Sequence, residues 1–511
     1  MVPGNRRTPR VIGSCLLVVL VVLTGCSATR MSRMPAADQH DRATTDPWSA
    51  AAADNTLVTD PTAALTASQL SFLRQVGRRT WTLLSGPDLD PATGLPMDSV
   101  LLAGKPGPTV TLAPPKAAQE YTNPALIGNY LTVLVAARDL GLLSAANAQS
   151  QAGAALTEIQ KLTKYQGFLF RWYSTKTGAA IASPQGKPIT DGYVSSVDNG
   201  WFAQGLLVAQ QAFPALAGGF GALLAAMNWP FLYDSADNLL YNGYQVGKGY
   251  SASTYDNAYS GPRIADYLAM AYGVPGALWW GLSRTPPASH NQRQVPQGQQ
   301  VSYTDPQNNK KYSVFEGHYV YDKIKFVPTF NGSLYQALAP ELVVPEQTMA
   351  PGSLGLNDRN TALAQGAYGS YGAKTPLWGW APATSPSGRY TNYGVPDLSI
   401  DTGTISDEVT SPYSEFLALP VIPVQAEADI TQLTANYPAS YTQYGFLDSV
   451  DTKTNQIAAR FMTISQSAIL MAVDDAVDHD QLQSYLAGSP AAKVLTQYLG
   501  IESYSIQGLA S

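Results

Sequence analysis

Tyr193-Val194-Ser195-Ser196-Val197-Asp198-Asn199-Gly200-Trp201-Phe202-Ala203-Gln204-Gly205-Leu206 leads from a polar turn into an apolar run that continues to Phe213. Its apolar residues recur at helical spacing over more than three turns, which predicts a helix rather than a strand. A carboxylate stands beside an indole where this helix begins. Asp198 is placed to cap free N–H groups, and Trp201 offers a flat apolar face of the kind that meets a sugar ring.

The same period returns along the chain. Helices are predicted at 68–84, 124–140, 145–164, 199–213 and 215–231, then at 262–272, 332–339, 360–371, 412–419, 425–437, 464–474 and 479–499. Strand-like alternation is confined to 301–304 and 312–326, as in a short hairpin. The expectation is an all-α fold, an (α/α)6 toroid of six helical hairpins with a small β-hairpin excursion. Such a ring gathers loops at one end, and here they are long and aromatic, as a cleft for a chain of sugars requires.

The N-terminus reads as an export signal. Arg6, Arg7 and Arg10 precede an apolar run from Val11 to Leu23, shorter than the roughly 20 residues a spanning helix needs. Leu23-Thr24-Gly25-Cys26 resembles a lipobox in which Cys26 becomes the acylated first residue. The expected organisation is a lipoprotein signal peptide at 1–25, a flexible tether at 26–64 and the (α/α)6 domain at 65–511. This predicts a lipid-anchored protein on the extracytoplasmic face of the cell membrane.

Composition narrows the partners. The net charge is −6, and loss of the three signal arginines takes it to −9, which argues against nucleic acid. Only 13% of residues are charged, against about 25% in an average globular protein, while 29 Tyr and 9 Trp enrich the surface chemistry. Neutral polysaccharide or oligosaccharide is the expected partner, and the chain is expected to be a monomer. The two cysteines, Cys15 and Cys26, leave no internal disulfide in the mature chain. The four histidines lie at His40, His290, His318 and His479, which gives a Ser-His-Asp triad or a zinc site few members. No metal or other cofactor is expected.

Ordered motifs then carry a resemblance. They include Leu95-Pro96, Thr122-Asn123-Pro124, Ala136-Ala137-Arg138-Asp139-Leu140-Gly141, Gly167-Phe168, Trp172-Tyr173 and Val197-Asp198-Asn199. Further along come Arg263-Ile264-Ala265, Phe326-Val327-Pro328, Trp378-Gly379-Trp380-Ala381-Pro382, Tyr393-Gly394-Val395 and Tyr444-Gly445-Phe446-Leu447-Asp448. In this order the chain, from about Ser68 to Leu499, resembles the bacterial glucoamylase-like family. That family includes the endo-β-1,2-glucanases of glycoside hydrolase family 144. The resemblance implies a six-hairpin toroid and hydrolysis or transfer of β-linked glucan. It also exposes departures, because Gly261, Gln336 and Ser465 stand where the family commonly carries acidic residues.

Glycoside hydrolysis normally uses two carboxyl groups, one protonated and one ionised. Asp198 and Glu415 are the expected catalytic pair. The expected substrate contacts are Asp98, Asn123, Trp172, Asn199, Trp201, Tyr244, Gln336, Trp378, Trp380, Tyr393 and Asp401. Arg263 is expected to brace a loop by pairing with an acid. Two functions remain open: a surface-anchored glycoside hydrolase acting on a β-glucan or other envelope polysaccharide, or an inactive relative that binds glycans.

Overall fold

The computed structural model describes residues 46–102, 119–286 and 292–510. The proposed signal, Cys26 and the first part of the proposed tether lie outside them.

The chain is largely helical. In order the α-helices are α1 (Pro47–Ala53), α2 (Pro61–Ala64), α3 (Ala67–Leu84), α4 (Pro124–Asp139), α5 (Ala145–Lys161) and α6 (Ser196–Ala212). Then come α7 (Ala217–Ala226), α8 (Arg263–Ala271), α9 (Ala277–Gly281), α10 (Leu334–Leu338), α11 (Glu346–Met349) and α12 (Leu354–Ala367). The last are α13 (Pro412–Leu417), α14 (Pro423–Asn436), α15 (Thr463–Val477), α16 (Gln481–Ala487) and α17 (Pro490–Leu499).

Two kinds of helix alternate, and their sequences say why. Helix α5 buries only Ala148, Ala152, Leu156 and Ile159, a single stripe at helical spacing, and α3 is similarly one-sided. Helices α4, α12 and α15 are buried nearly all round. Helix α4 lies between α6 and α15, α6 also packs on α8, α13 packs on α15, and α10 touches both α12 and α13. The one-sided helices cover them from outside: α3 on α15, α5 on α4, α14 on α13.

Close approach of α4 and α6 depends on glycine. A Cβ on Gly128 would run into the carbonyl oxygen of Trp201, and one on Gly205 into that of Gly128. Asn123 starts α4 by accepting the Leu126 N–H at 2.9 Å, with Pro124 in the first turn where its missing N–H costs nothing.

In place of the short hairpin expected at 301–304 and 312–326, Gln297–Thr304, Lys311–Tyr321 and Ile324–Phe326 form a three-stranded antiparallel sheet. Beyond it, short two- and three-residue ladders fasten the loops to one another. One of these sheets joins β1 (Tyr193–Ser195), β2 (Gly243–Gln245) and β3 (Gly249–Tyr250), with β2 in the middle.

Three expectations need correction. Residues 46–64 are not tether: α1 and α2 are capped by Asp46 and Asp60, and Trp48 packs edge-on against Trp378 at 5.9 Å. The helix expected at 479–499 is two, because Pro490 has no N–H to donate in a helix interior and starts α17 instead. The helix expected from 360 begins at Leu354, six residues earlier.

Candidate active site

A cavity of about 320 Å³ opens among the N-terminal ends of α4, α6, α8, α10 and α13. Of the expected site residues, Asn123, Asp198, Trp201 and Gln336 line it. The remaining wall is mostly neutral and polar, with Tyr193, Ser195, Asn242, Tyr335, Tyr390, Asn392 and Tyr413 among its members. Arg171 and Asp198 are the charged residues among the described lining.

Asp198 does not cap α6. Ser195 does, accepting the Asp198 N–H at 3.4 Å, so Asp198 sits in the first turn with its carboxyl toward the cavity. Burial raises its pKa, while Arg171 and the Ser195 hydroxyl act in the opposite direction. The Arg171 guanidinium lies 4.7 Å from the Trp172 ring and 5.9 Å from that of Tyr193. Trp172 is thereby a half-buried support behind the wall rather than part of it. Trp201 and Tyr335 face each other across the floor, their centroids 6.3 Å apart, and Tyr413 lies 6.2 Å beyond Tyr335.

Behind Tyr390 and Tyr413 stands an acidic pair. Asp448 is fully buried and accepts the Ser465 hydroxyl at 2.7 Å and the Thr384 N–H. Asp98 is half-buried and hydrogen-bonded to Tyr121. Burial raises both carboxyls to about 6, and Arg460 partly opposes this in each. Both acids act electrostatically on Tyr390, and Asp198 acts on Tyr335. The two ends of the acid system therefore meet at one tyrosine-lined wall. Asp448 went unselected in the sequence; its only signal was its place at the end of Tyr444-Gly445-Phe446-Leu447-Asp448.

The other expected site residues have different work. Glu415 is fully buried beside Asp429 under the Trp378-Gly379 backbone; burial and the Asp429 charge raise its pKa well above the usual range, and burial raises that of Asp429 against the opposing hydrogen bonds from the Trp378 N–H and Glu415. It does not reach the cavity, because the first turn of α13 turns Tyr413 to the cavity and Glu415 inward. Asn199 is buried and spent on backbone, accepting the Leu169 N–H at 2.9 Å and donating to the carbonyls of Leu169 at 3.0 Å and Ser195 at 2.8 Å.

Trp378 and Trp380 are core, with Trp380 edge-on to Tyr368 at 5.1 Å. Tyr393 is buried with Ala383 and Val409. Asp401 folds its own loop, accepting the Gly403 N–H at 2.9 Å. Tyr244 pairs across the sheet with Val194, so both point away from the face that Tyr193 and Ser195 turn to the cavity.

Arg263 braces as expected. It donates to Glu346 at 2.8 and 2.6 Å and to the carbonyl of Gln336 at 2.9 Å, all fully or nearly buried. Glu341, Glu346 and Asp358 approach one another closely enough to suit a cation, and the guanidinium, 3.6 Å from Asp358, is the cation in their midst.

Comparison with known proteins bears on this site. Residues 300–486 match a family model described as "Putative glucoamylase". The resemblance to the glucoamylase-like family holds. Residues 116–324 match a second model, described as a protein of unknown function. A cyclic β-(1,2)-glucan synthase of Rhizobium meliloti is 27% identical over 293 residues, 53% of this chain but 9% of that far longer protein.

Among solved structures, one titled a putative glucoamylase from Bacteroides caccae superposes with a TM-score of 0.66 at 18% identity, covering 84% of this chain and 98% of its own. The endo-β-1,2-glucanase of Chitinophaga pinensis, solved with sophorotriose and glucose, gives 0.65 at 16% identity, with 85% and 98% covered. At these identities the likeness is one of fold.

Proposed function

We propose that this chain is a glycoside hydrolase built on an (α/α)6 toroid, which holds a β-glucan or similar neutral envelope polysaccharide in the cavity and cleaves it. The observation that carries the reading is a neutral, aromatic cavity with Asp198 on its α6 wall beside Arg171 and the raised Asp98–Asp448 pair acting on its lining residue Tyr390. Glycosidic cleavage asks for two carboxyl groups in different protonation states, and a pair raised to about 6 is suited to the part of the acid. Asp98 or Asp448, outside the cavity lining but acting on its Tyr390, is proposed in the place first expected of Glu415. The neutral wall of amides, hydroxyls and phenols suits uncharged hydroxylated rings better than anionic ones. The match to the glucoamylase-like model and the glucan-named relatives support the same substrate class.

A second reading, glycan binding without cleavage, is favoured by the uncharged Gly261, Gln336 and Ser465, the first two on the cavity wall. The deciding experiment incubates the chain lacking its first 25 residues, and its Asp198→Asn and Asp448→Asn variants, with β-1,2-, β-1,3- and β-1,4-glucans. Oligosaccharide release that either variant abolishes supports the hydrolase. Retention of a glucan without release supports the binding reading. The N-terminal sequence further leads us to propose a lipid anchor at Cys26 on the outer membrane face, acting on one chain as a monomer. Cys26→Ser should then move the protein from the membrane fraction to the medium.

A further inference from the structure

Tyr250 is 46% exposed, the one aromatic among the largest exposed apolar side chains of the described residues. It is not an isolated ring. It stacks on Tyr241 with centroids 4.5 Å apart and planes 21° from parallel, and it touches Tyr244 at 5.0 Å and Phe231 at 5.3 Å. Tyr244 stacks in turn on Tyr165 at 5.6 Å with planes 5° apart. Five aromatic rings thus form one outer surface, and four of them carry hydroxyls.

The register of the β1–β2–β3 sheet relates this surface to the cavity. Tyr250 pairs with Tyr244 and Tyr244 with Val194, so all three lie on the same side. Tyr193, Ser195 and Ser251 lie on the other side and line the cavity. Strand β3 is the edge of the sheet. Ser251, which lines the cavity, directly follows Tyr250 at this edge, so the two faces are one residue apart along the chain, a rise of about 3.3 Å.

We propose that the Tyr250–Tyr241 surface is a second carbohydrate-binding site, which takes the part of a neutral polysaccharide chain that emerges from the cavity over the β3 edge. The proposal rests on the glycan reading of the cavity. Held rings with an exposed face offer pyranose C–H faces apolar contact at little cost in side-chain freedom, and their hydroxyls meet those of the sugar. A short oligosaccharide confined to the cavity gains nothing from this surface. A long chain does.

The test is affinity electrophoresis of the full chain carrying Asp198→Asn, in native gels cast with soluble β-1,2-glucan and, in parallel, β-1,3-glucan. Tyr250→Ala and Tyr241→Ala should weaken retention by about three- to tenfold, and Tyr250→Phe should retain it. Release of product from short oligosaccharides by Tyr250→Ala in the otherwise unaltered chain should equal that of the parent, which excludes damage to the fold. If a glucan retards the parent and both alanine variants equally, this site is overturned while the cavity reading stands. If no glucan retards the parent, both fall.

Discussion

Asn199 holds Leu169 by both ends of its side-chain amide, at 2.9 Å from the Leu169 N–H and 3.0 Å to its carbonyl. Asn357 grips Val327 in the same way, at 2.7 and 3.0 Å. Each amide reaches from a buried helix to a loop and satisfies backbone groups that water cannot reach. Asn199→Ala should therefore cost about 2–5 kcal/mol, since it strands two or three buried backbone groups. Asn199→Asp should cost no less, because a carboxylate cannot donate to the two carbonyls. Denaturant unfolding measures both.

The Asp98–Asp448 pair sets a pH expectation. Both carboxyls are raised to about 6, so a protonated acid is available below that pH and is lost above it. The catalytic rate should fall on the alkaline side with a midpoint near 6, as a property of the pair. Asp448→Asn should lower the rate by about 10²- to 10⁴-fold. It also takes a like charge from beside Asp98, so any residual alkaline limb should move to lower pH.

Glu415→Gln should leave turnover near the parent value, since Glu415 is buried with Asp429 and not at the cavity. Its effect belongs to stability. A carboxyl whose pKa is raised on folding stabilises least when the pH exceeds that raised value. Removing this titration should make the variant lose less melting temperature than the parent as the pH rises from about 4.3, the ordinary glutamate value.

Asp266 extends the same logic to α8. Both of its oxygens are buried without a hydrogen-bond partner, and burial raises its pKa to about 8. The folded chain holds a proton that the unfolded chain releases near pH 4, so stability falls as the pH rises from about 4 to about 8. Asp266→Asn keeps the shape and removes the titration. Melting curves across that window should be flatter for the variant.

How much of this was legible depended on which residues carried the pattern. Helix α5 announced itself through Ala148, Ala152, Leu156 and Ile159, because half of it faces water. The start of α12 did not. Its residues Asn357, Asp358, Arg359 and Asn360 are polar yet buried, with partners drawn from distant parts of the chain, so no apolar period marks them. Helix α1 is short and rich in alanine, and only the docking of Trp48 distinguishes it from a linker.

The site divided in the same way. Asn123, Asp198 and Trp201 could be read because they begin helices that meet at one end of the fold. Glu415 also begins a helix, but a position in sequence does not say which side of a single turn faces inward. Asp448 owes its raised pKa to burial, and its direct partners come from distant places, Thr384 from a short strand and Ser465 from the first turn of α15. No local pattern records such an assembly.

The glycines where α4 meets α6 have a bearing on selectivity as well as on packing. Gly128 and Gly205 let the two backbones touch, and the same helices carry Asn123 at one cavity wall and Asp198 and Trp201 at another. The gauge of the opening thus depends on two methyl groups that the chain does without, at positions that are themselves outside the cavity lining. Divergence in ring size or branching of the substrate need not touch the wall at all; it can arise from a spacer inserted between two scaffold rods.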